Sequence, residues 1–173
     1  MVSISWEDAV AYGTWLSKKE GKTYRLPTDH EWSVAVGIGK AEDPTLRPEA
    51  KSGKVQGYPW GMDYPPPPGS GNYSDTSRRS AAALPLAGNI ASYDDGFATT
   101  APVMSFTPNE LGLYDLGGNA REWVQDSFNV ADGRRVMRGC SWDRGNEDLL
   151  RSSRRDNPGG PYRTTDSGFR CVV

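Results

Sequence analysis

The 173-residue chain is poor in the side chains that bind metals through nitrogen or sulfur. It has a single histidine, His30, and two cysteines, Cys140 and Cys171. So few ligands exclude a four-ligand zinc site and a multi-histidine iron centre, and two cysteines cannot build a disulfide scaffold. A Ser-His-Asp triad would have to use His30. The surrounding pattern instead predicts that His30 is an ordinary polar residue in the first turn of a helix.

The chain also lacks a charge bias and a long apolar run. Its net charge of −2 gives no reason to expect nucleic acid or an anionic membrane as a partner. No apolar run approaches the roughly 18–20 residues that a membrane span needs, and no signal-peptide pattern opens the sequence. We therefore expect no membrane span and favour a cytoplasmic location.

Two helices are indicated by capping patterns near the start of the chain. Ser5 is followed three residues later by Asp8, a box-like N-terminal cap, and Gly21 is a suitable stop for this first helix. Thr28 and Glu31 form the same arrangement at the start of a second helix.

The rest of the chain is rich in turn residues, with 20 glycines and 13 prolines in all. Residues 39–108 show no strong periodicity. Alternation predicts short strands in 101–106 and 112–128, on either side of a tight GGN turn, and further strands at RRVMRGCSW and SGFRCVV. The six aromatic tryptophans suit a loop-rich protein whose irregular segments are held by buried rings.

Eight motifs follow one another along the chain: SWEDAVAY, RLPTDHEW, YPWG, GNY, DDGFATTAPV, PNELGLYDLGGNAREWV, RVMRGCSW and GFRCV. This succession resembles the formylglycine-generating-enzyme (sulfatase-modifying-factor) family, from Val2 to Val173. The resemblance implies one α+β domain of residues 1–173 with a C-type-lectin-like fold, in which two helices and short antiparallel strands are joined by much irregular loop.

The resemblance implies three possible functions, because members of this family differ in what they do, and the fold alone does not distinguish among them. Some members are oxidases that convert a sulfatase cysteine to formylglycine. Others are regions attached to bacterial protein kinases, where the domain senses or scaffolds, and others are variable proteins of diversity-generating retroelements. The residues of the site have to decide.

The residues that the oxidases need are missing. The resemblance implies two copper(I)-binding cysteines after the GlySerTrp-like turn, because soft thiolates suit copper(I). Those positions hold Arg144 and Leu149, or Asp143 and Asp148 if the alignment is counted back from GFRC. No cysteine occurs between residues 141 and 170. We therefore predict that the chain is not an enzyme and binds no copper.

The two cysteines leave two alternatives. In relatives with disulfides, the cysteine of GFRC pairs with one in the first helix, and that position here is Gly13. Free thiols are favoured, with Cys171 a small buried hydrophobe. A Cys140–Cys171 bridge remains open if their strands are adjacent.

The resemblance also implies structural calcium at two sites, built from carboxylates and backbone carbonyls. The alternative is that the acidic residues cap turns or face solvent. Arg121 stands where the family usually has tryptophan, so packing beside the second site is expected to differ. The first site would use Asn72, Tyr73, Asp95 and Phe97, and the second Asp115, Gly118, Ala120 and Glu122.

A ligand-binding surface is predicted in the C-terminal candidate variable region, at about 138–173. Eleven residues of segments 143–146 and 155–166 are expected to face solvent, and their mixed donors and acceptors suit an adaptable surface for a protein ligand. All eleven are amino acids that an AAY codon can encode once its two adenines are changed, as happens in retroelement diversification, although this set of amino acids is broad. The alternative is an ordinary solvated loop. The residues are Asp143, Arg144, Gly145, Asn146, Arg155, Asp156, Asn157, Tyr162, Thr164, Thr165 and Asp166.

The leading hypothesis is thus a non-catalytic binding domain of the retroelement variable-protein kind. A formylglycine-generating oxidase and an accessory domain of a bacterial kinase are the alternatives. Several arginines near this surface could bind an acidic ligand, but we expect them to pair with nearby carboxylates. The arginines are Arg138, Arg151, Arg154 and Arg170, and the carboxylates are Asp148, Asp156 and Asp166.

Overall fold

The computed structural model of the protein describes residues 1–82, 88–129, 131, 133–159 and 161–173. Helix α1 spans Trp6–Glu20 and has the predicted capping box. The Ser5 side chain accepts a hydrogen bond from the backbone N–H of Asp8, and the Asp8 carboxylate accepts one from the backbone N–H of Ser5. Gly21 closes the helix by donating its N–H to the carbonyl of Ser17.

Helix α2 spans Asp29–Ala35 and also begins with the predicted box, formed by Thr28 and Glu31. His30 lies in its first turn, as expected. The remaining elements are short. They are a 3₁₀ turn at Gly39–Ala41, helices α3 at Pro48–Lys51, α4 at Thr76–Ala82 and α5 at Glu147–Leu150, and strands β1 at Arg121–Ser127, β2 at Arg135–Arg138 and β3 at Ser167–Phe169.

The three strands form one sheet in the order β2-β1-β3. Strand β1 is central and pairs antiparallel with β2 and parallel with β3. Glu122 stands opposite Arg138 on one side and Gly168 on the other. The mixed sheet and the helices confirm the α+β class. The prediction of antiparallel strands holds for β1 and β2 but not for β1 and β3, and in the part of the chain that the structure describes three short helices add to the two predicted.

The strand predicted at 101–106 is wrong, because that stretch forms turns. At Ala101 the backbone is bound by a side chain instead of a neighbouring strand. The backbone N–H of Ala101 donates to the Asn119 side-chain oxygen at 2.9 Å, and the Asn119 amide donates back to the Ala101 carbonyl at 3.2 Å. This amide therefore replaces strand pairing at the point where β1 is about to begin.

The sheet is covered on one face by α1 and on the other by α2. Successive residues of a strand point to opposite faces, so Trp123 joins a cluster with Ala9 of α1, while Val124 joins a cluster with Trp32 of α2. The Trp123 indole also donates a hydrogen bond to the carbonyl of Ile4 at 3.1 Å. The sheet is thus fixed between α1 and α2.

A third buried cluster lies below the irregular segments and contains Tyr73, Ile90, Tyr93, Cys140 and Leu150. It joins the loop around residue 73 to the C-terminal segment after β2. No helix in the described part of the chain has the length and apolar character needed to cross a membrane.

Candidate functional site

The predicted ligand surface divides into a buried part and an exposed part. Gly145, Arg155 and Asp166 are buried, so the prediction that they face solvent is wrong. Asn146 and Thr165 are exposed. The other six are partly exposed, namely Asp143, Arg144, Asp156, Asn157, Tyr162 and Thr164.

Arg155 is buried because it belongs to an internal network of charges. Its guanidinium donates to both carboxylate oxygens of Asp29, at 2.9 Å each, and to those of Glu42, at 2.7 and 2.6 Å. Lys51 and Arg138 bring further positive charge to Asp29, at 2.7 and 2.5 Å. Burial opposes ionisation of Asp29, but the Arg138 and Arg155 cations outweigh it and lower its pKa well below the ordinary value.

Gly145 is buried because another backbone approaches it too closely for a side chain. A Cβ atom at this position would lie 2.6 Å from the carbonyl oxygen of Ser74 and 2.7 Å from that of Gly88. Its neighbour Arg144 offers a carbonyl to the backbone N–H of Ser74 at 3.0 Å. The segment before α5 therefore packs directly on the loop around Ser74.

Asp166 is buried because it pairs with Arg121 at the start of β1. Arg121 donates two hydrogen bonds to Asp166 at 2.9 Å, one to Asp156 at 2.9 Å and one to the Tyr162 hydroxyl at 2.6 Å. Burial raises the pKa of Asp166, but hydrogen bonds from Arg121 and Thr164 outweigh it and lower the pKa to about 2.

Sequence reasoning missed this role of Arg121. Its place at the start of a strand that carries Trp123 and Val124 was a signal that the charge needs a buried counter-charge. Arg121 thus connects the start of β1 to three of the eleven predicted residues, Asp156, Tyr162 and Asp166. These three residues therefore fix the C-terminal segments to the sheet.

One exposed part of the surface, at Thr165, lies beside Trp142. The Trp142 indole donates to the carbonyl of Thr165 at 3.3 Å, and the Arg78 guanidinium lies over its ring at 5.1 Å. Arg144 is 3.6 Å from Asp156 and 3.9 Å from Asp143, so it joins the two predicted segments. The arrangement displays amides, a hydroxyl, charges and an aromatic ring.

The arginines pair with carboxylates, as expected, although not always with the predicted ones. Arg151 meets Asp148 at 3.0 Å and Arg154 meets Asp156 at 3.3 Å. Arg170 pairs instead with Glu122 of β1 at 2.5 Å, and Arg138 with Asp29, as described above.

Both cysteines are free thiols, which settles the open alternative against a Cys140–Cys171 bridge. Cys140 is fully enclosed, and burial raises the pKa of its thiol to about 12. A thiol with such a pKa is not the thiolate that binds metals or attacks substrates. Cys171 is partly buried, and burial raises its pKa as well.

The first predicted calcium site has two features that suit a cation. The Asn72 side-chain oxygen is buried and has no hydrogen-bond partner. Asp95 accepts hydrogen bonds from the backbone N–H groups of Tyr73 and Phe97 at 2.8 Å each. Burial, assisted by the charge of Asp75, raises the pKa of Asp95 to about 6. These residues fit a hard oxygen-seeking ion, which would supply the missing positive charge.

The second predicted site fits less well. One Asp115 oxygen is buried without a partner. Glu122, however, already accepts hydrogen bonds from Arg170 at 2.7 and 2.5 Å and from the Trp32 indole at 2.9 Å. Gly118 and Ala120 line the same cleft as Asp115 and Glu122. A calcium ion at Glu122 would have to compete with the Arg170 guanidinium.

Among the described residues, no cluster of three or more His, Cys, Asp or Glu is positioned to hold an ion, so a calcium ion at either predicted site would depend largely on amide and backbone oxygens. Two clefts, of about 260 and 670 Å³, are lined by other parts of the chain. Neither contains any of the eleven predicted ligand residues. The predicted surface is therefore not part of either cleft.

The comparisons with known proteins place the chain in a family. The model of the sulfatase-modifying factor enzyme 1-like domain matches residues 1–173. The chain belongs to this family, as the order of its motifs predicts.

Three relatives show how varied the family is. The chain is 34% identical to "Inactive C-alpha-formylglycine-generating enzyme 2" of Bos taurus, over 99% of its own length and 49% of that protein. It is 33% identical to the "Formylglycine-generating enzyme" of Thermomonospora curvata, over 75% of the chain and 34% of the relative. It is 31% identical to "Serine/threonine-protein kinase Pkn1" of Chlamydia trachomatis, over 99% of the chain and 24% of the kinase. The chain thus spans half or less of each relative.

Solved structures show the same fold. PvdO from Pseudomonas aeruginosa has a TM-score of 0.62 at 27% identity, covering 98% of this chain and 60% of its own. Treponema denticola variable protein 1 has a TM-score of 0.61 at 20% identity, covering 99% and 69%. The predicted formylglycine-generating-enzyme-like fold is confirmed.

Proposed function

We propose that residues 1–173 form a single non-catalytic domain that binds a protein ligand through its C-terminal region, at about 138–173. The absence of thiols from the positions that the oxidases use carries this proposal. Arg144 and Leu149, or Asp143 and Asp148, stand there, and none of them supplies the soft sulfur that copper(I) needs. The only nearby thiol, Cys140, is buried and protonated.

Similarity to a mammalian relative named as inactive supports this proposal, because that match extends over 99% of the chain. The match to a bacterial formylglycine-generating enzyme covers only 75%. The fold serves both kinds of protein, so the residues of the site decide between them.

A protein is the ligand that best suits the exposed surface. Asn146 and Asn157 present amides, and Thr165 presents a hydroxyl next to the carbonyl that binds the Trp142 indole. Such mixtures are typical of adaptable protein-binding surfaces. Small molecules generally bind in concave apolar pockets, whereas these residues line neither of the two clefts. Arg121 and its partners would keep this surface in place while its exposed side chains vary.

We further propose that the exposed positions are diversified by a retroelement. Fewer than eleven positions suit such variation. Arg155, for example, is paired with two buried carboxylates, so most substitutions there would destabilise the protein. Sequencing the DNA beside the gene tests the idea: a reverse-transcriptase gene and a near-copy of the 3′ end are expected. Their absence, or differences between copies concentrated at the codons for buried residues, would contradict it.

Binding through this surface is tested with a triple variant, Asn146→Ala, Asn157→Ala and Thr165→Ala. A library of random 12-residue peptides displayed on phage is selected against the wild-type protein, and the affinity of the enriched peptides is then measured for each variant. We expect the triple variant to melt as the wild type does and to bind at least about tenfold more weakly.

A matched control removes three exposed side chains from α1 and the turn after it, with Thr14→Ala, Lys18→Ala and Lys22→Ala. Peptides that bind all three proteins equally, or a library that yields no binder, would contradict the proposed surface.

A role as an accessory domain of a kinase is the second candidate. This role is favoured by the match to the Chlamydia trachomatis kinase, which covers 99% of this chain. The same match covers only 24% of the kinase. A kinase domain encoded in the same reading frame would support this role, and a reading frame that encodes none would exclude it.

We also propose that Asn72, Tyr73, Asp95 and Phe97 hold a structural calcium ion. The buried Asn72 oxygen without a partner supports this site. Calorimetric titration of the protein with calcium chloride, repeated with Asn72→Ala, is expected to show binding that the substitution weakens. Heats no larger than those of dilution would contradict the proposal.

A further inference from the structure

Four aromatic rings form a row that leads from the core to the surface beside the proposed ligand surface. Tyr73 is fully buried and meets Trp60 edge to face, with ring centres 5.5 Å apart. Trp60 stacks on Tyr58 at 4.8 Å with the planes within 3° of parallel. Tyr58 is followed by Tyr64 at 6.2 Å. The row ends at Tyr64, which is 39% exposed.

A tight turn holds these rings in place before any ligand arrives. The backbone groups of Tyr58 and Gly61 exchange two hydrogen bonds, of 2.7 and 3.1 Å. The Trp60 indole donates to the carbonyl of Asp63 at 2.8 Å, inside the same turn. Rigid aromatic side chains lose little conformational entropy on binding, which is why such residues are enriched among the strongest contacts of interfaces.

The turn is joined to the segment that carries the predicted ligand residues. The Tyr64 hydroxyl donates to the carbonyl of Gly145 at 3.3 Å, and the Tyr58 hydroxyl donates to the Glu147 carboxylate at 3.0 Å. Burial, followed by the nearby charge of Glu147, raises the pKa of both tyrosines. The exposed end of the aromatic row and the Glu147 carboxylate therefore lie side by side.

Negative charge is in excess at this end of the row. Glu147 and Asp148 are exposed, and so is Asp63 in the turn. Arg151 brings a positive charge near the Tyr58 hydroxyl, but it is engaged with Asp148 at 3.0 Å. Glu147 forms no ion pair with any residue that the structure describes. Its charge is available to a ligand.

We propose that Tyr58, Tyr64 and Glu147 bind an arginine or lysine side chain of the partner protein. The cation would lie against the exposed part of the aromatic row, where ring faces attract positive charge, and its head group would pair with the carboxylate. This inference rests on the proposed function and extends it, because it adds a subsite outside the eleven predicted residues and specifies the charge of the partner.

The experiment uses the phage-displayed library of random 12-residue peptides and the full chain. The enriched peptides are expected to share an arginine or lysine, and replacing that residue by glutamine should weaken their binding at least about tenfold. Glu147→Gln and Tyr64→Ala should each weaken binding by a similar factor, and Tyr64→Phe should retain most of it because the ring remains. Binding should also weaken as the salt concentration rises.

Glu7→Gln is the matched control, since it removes the same charge from an exposed residue of α1 and is expected to leave binding unchanged. Melting curves of all variants verify that they fold. Enriched peptides without a cation, or equal binding to Glu147→Gln, Tyr64→Ala and the wild type, would overturn the inference.

The outcomes also separate this inference from the proposed function. Binding that is lost in the triple variant of Asn146, Asn157 and Thr165 but kept in Glu147→Gln and Tyr64→Ala would leave the proposed surface standing and remove the aromatic subsite. The reverse pattern would retain the subsite and remove the proposed surface.

Discussion

Replacement of Arg121 by alanine is the most informative perturbation of the ligand surface. Arg121 is 2% exposed and makes two hydrogen bonds to Asp166, one to Asp156 and one to Tyr162. Removing the guanidinium leaves Asp166 buried without its counter-charge. Loss of one partner of a buried ion pair costs about 3–5 kcal/mol.

That loss of free energy is large enough to measure by thermal melting. For a domain of this size, 1 kcal/mol corresponds to a change of about 2–4 °C in Tm. Arg121→Ala is therefore expected to lower the Tm by about 6–20 °C at neutral pH. The variant should also lose binding at the exposed surface, because the segments around Asp156 and Asp166 would no longer be fixed to β1.

Arg154→Ala is the matched control, since Arg154 also pairs with Asp156, at 3.3 Å, but its side chain is 43% exposed. Exposed ion pairs contribute about 0–1 kcal/mol, so the control should lose at most about 4 °C. If Arg121→Ala melted within about 2 °C of Arg154→Ala, the reasoning about the buried network would be refuted.

The same pair predicts a dependence on pH. The pKa of Asp166 in the folded protein is lowered to about 2, below the unfolded value of about 4. The stabilisation is therefore complete above about pH 4 and is lost as the pH falls toward 2. Denaturant unfolding at pH 7, 4 and 2.5 should show the advantage of the wild type over Arg121→Ala shrinking stepwise as the pH falls, because burial raises the pKa of an unpaired Asp166 in the variant and protonation then removes the cost of its charge. An advantage that is already gone at pH 7 would contradict the assignment.

Three further predictions concern other parts of the molecule. The pKa of Asp95 is raised to about 6, so its ionisation opposes folding. With a chelator present, the free energy of unfolding should therefore fall as the pH rises from about 4 to 6. Asp95→Asn should remove this fall, and an unchanged fall in the variant would exclude Asp95 as its source. Arg155→Met should lower the free energy of unfolding by about 3–5 kcal/mol in denaturant titrations, because it leaves two buried carboxylates short of a partner; a loss below about 1 kcal/mol would show that the network repacks. Cys140 should not react with a thiol reagent at pH 8 until the protein is unfolded, since burial raises the pKa of its thiol to about 12. Rapid labelling of both Cys140 and Cys171 in the folded protein would contradict the burial of Cys140.

The parts of the fold that depend on local sequence could be predicted. The capping boxes of α1 and α2 involve residues three positions apart, so their signals are complete within one turn. The ion pairs Arg151–Asp148 and Arg154–Asp156 are equally local. The order of the motifs then provided the family and the α+β fold.

The parts that depend on distant residues could not be predicted. Arg155 reads as a surface residue, but its counter-charge, Asp29, lies 126 positions earlier in the chain. Asp166 and Arg121 are separated by 45 positions. Alternation likewise predicted a strand at 101–106, because it does not reveal that the Asn119 amide binds the backbone of Ala101. The turn at residues 58–64 has no periodicity, so its role beside Glu147 appears only in the folded chain.

The central claim is that this family member holds a ligand without performing the copper chemistry of the oxidases. Titration of the reduced protein with copper(I), followed by incubation with a CxPxR-type peptide under oxygen, tests it most directly. We expect no stoichiometric copper binding at Arg144 and Leu149 or their neighbours, and no aldehyde in the peptide by mass spectrometry. One tightly bound copper ion per chain, or formylglycine in the peptide, would contradict it.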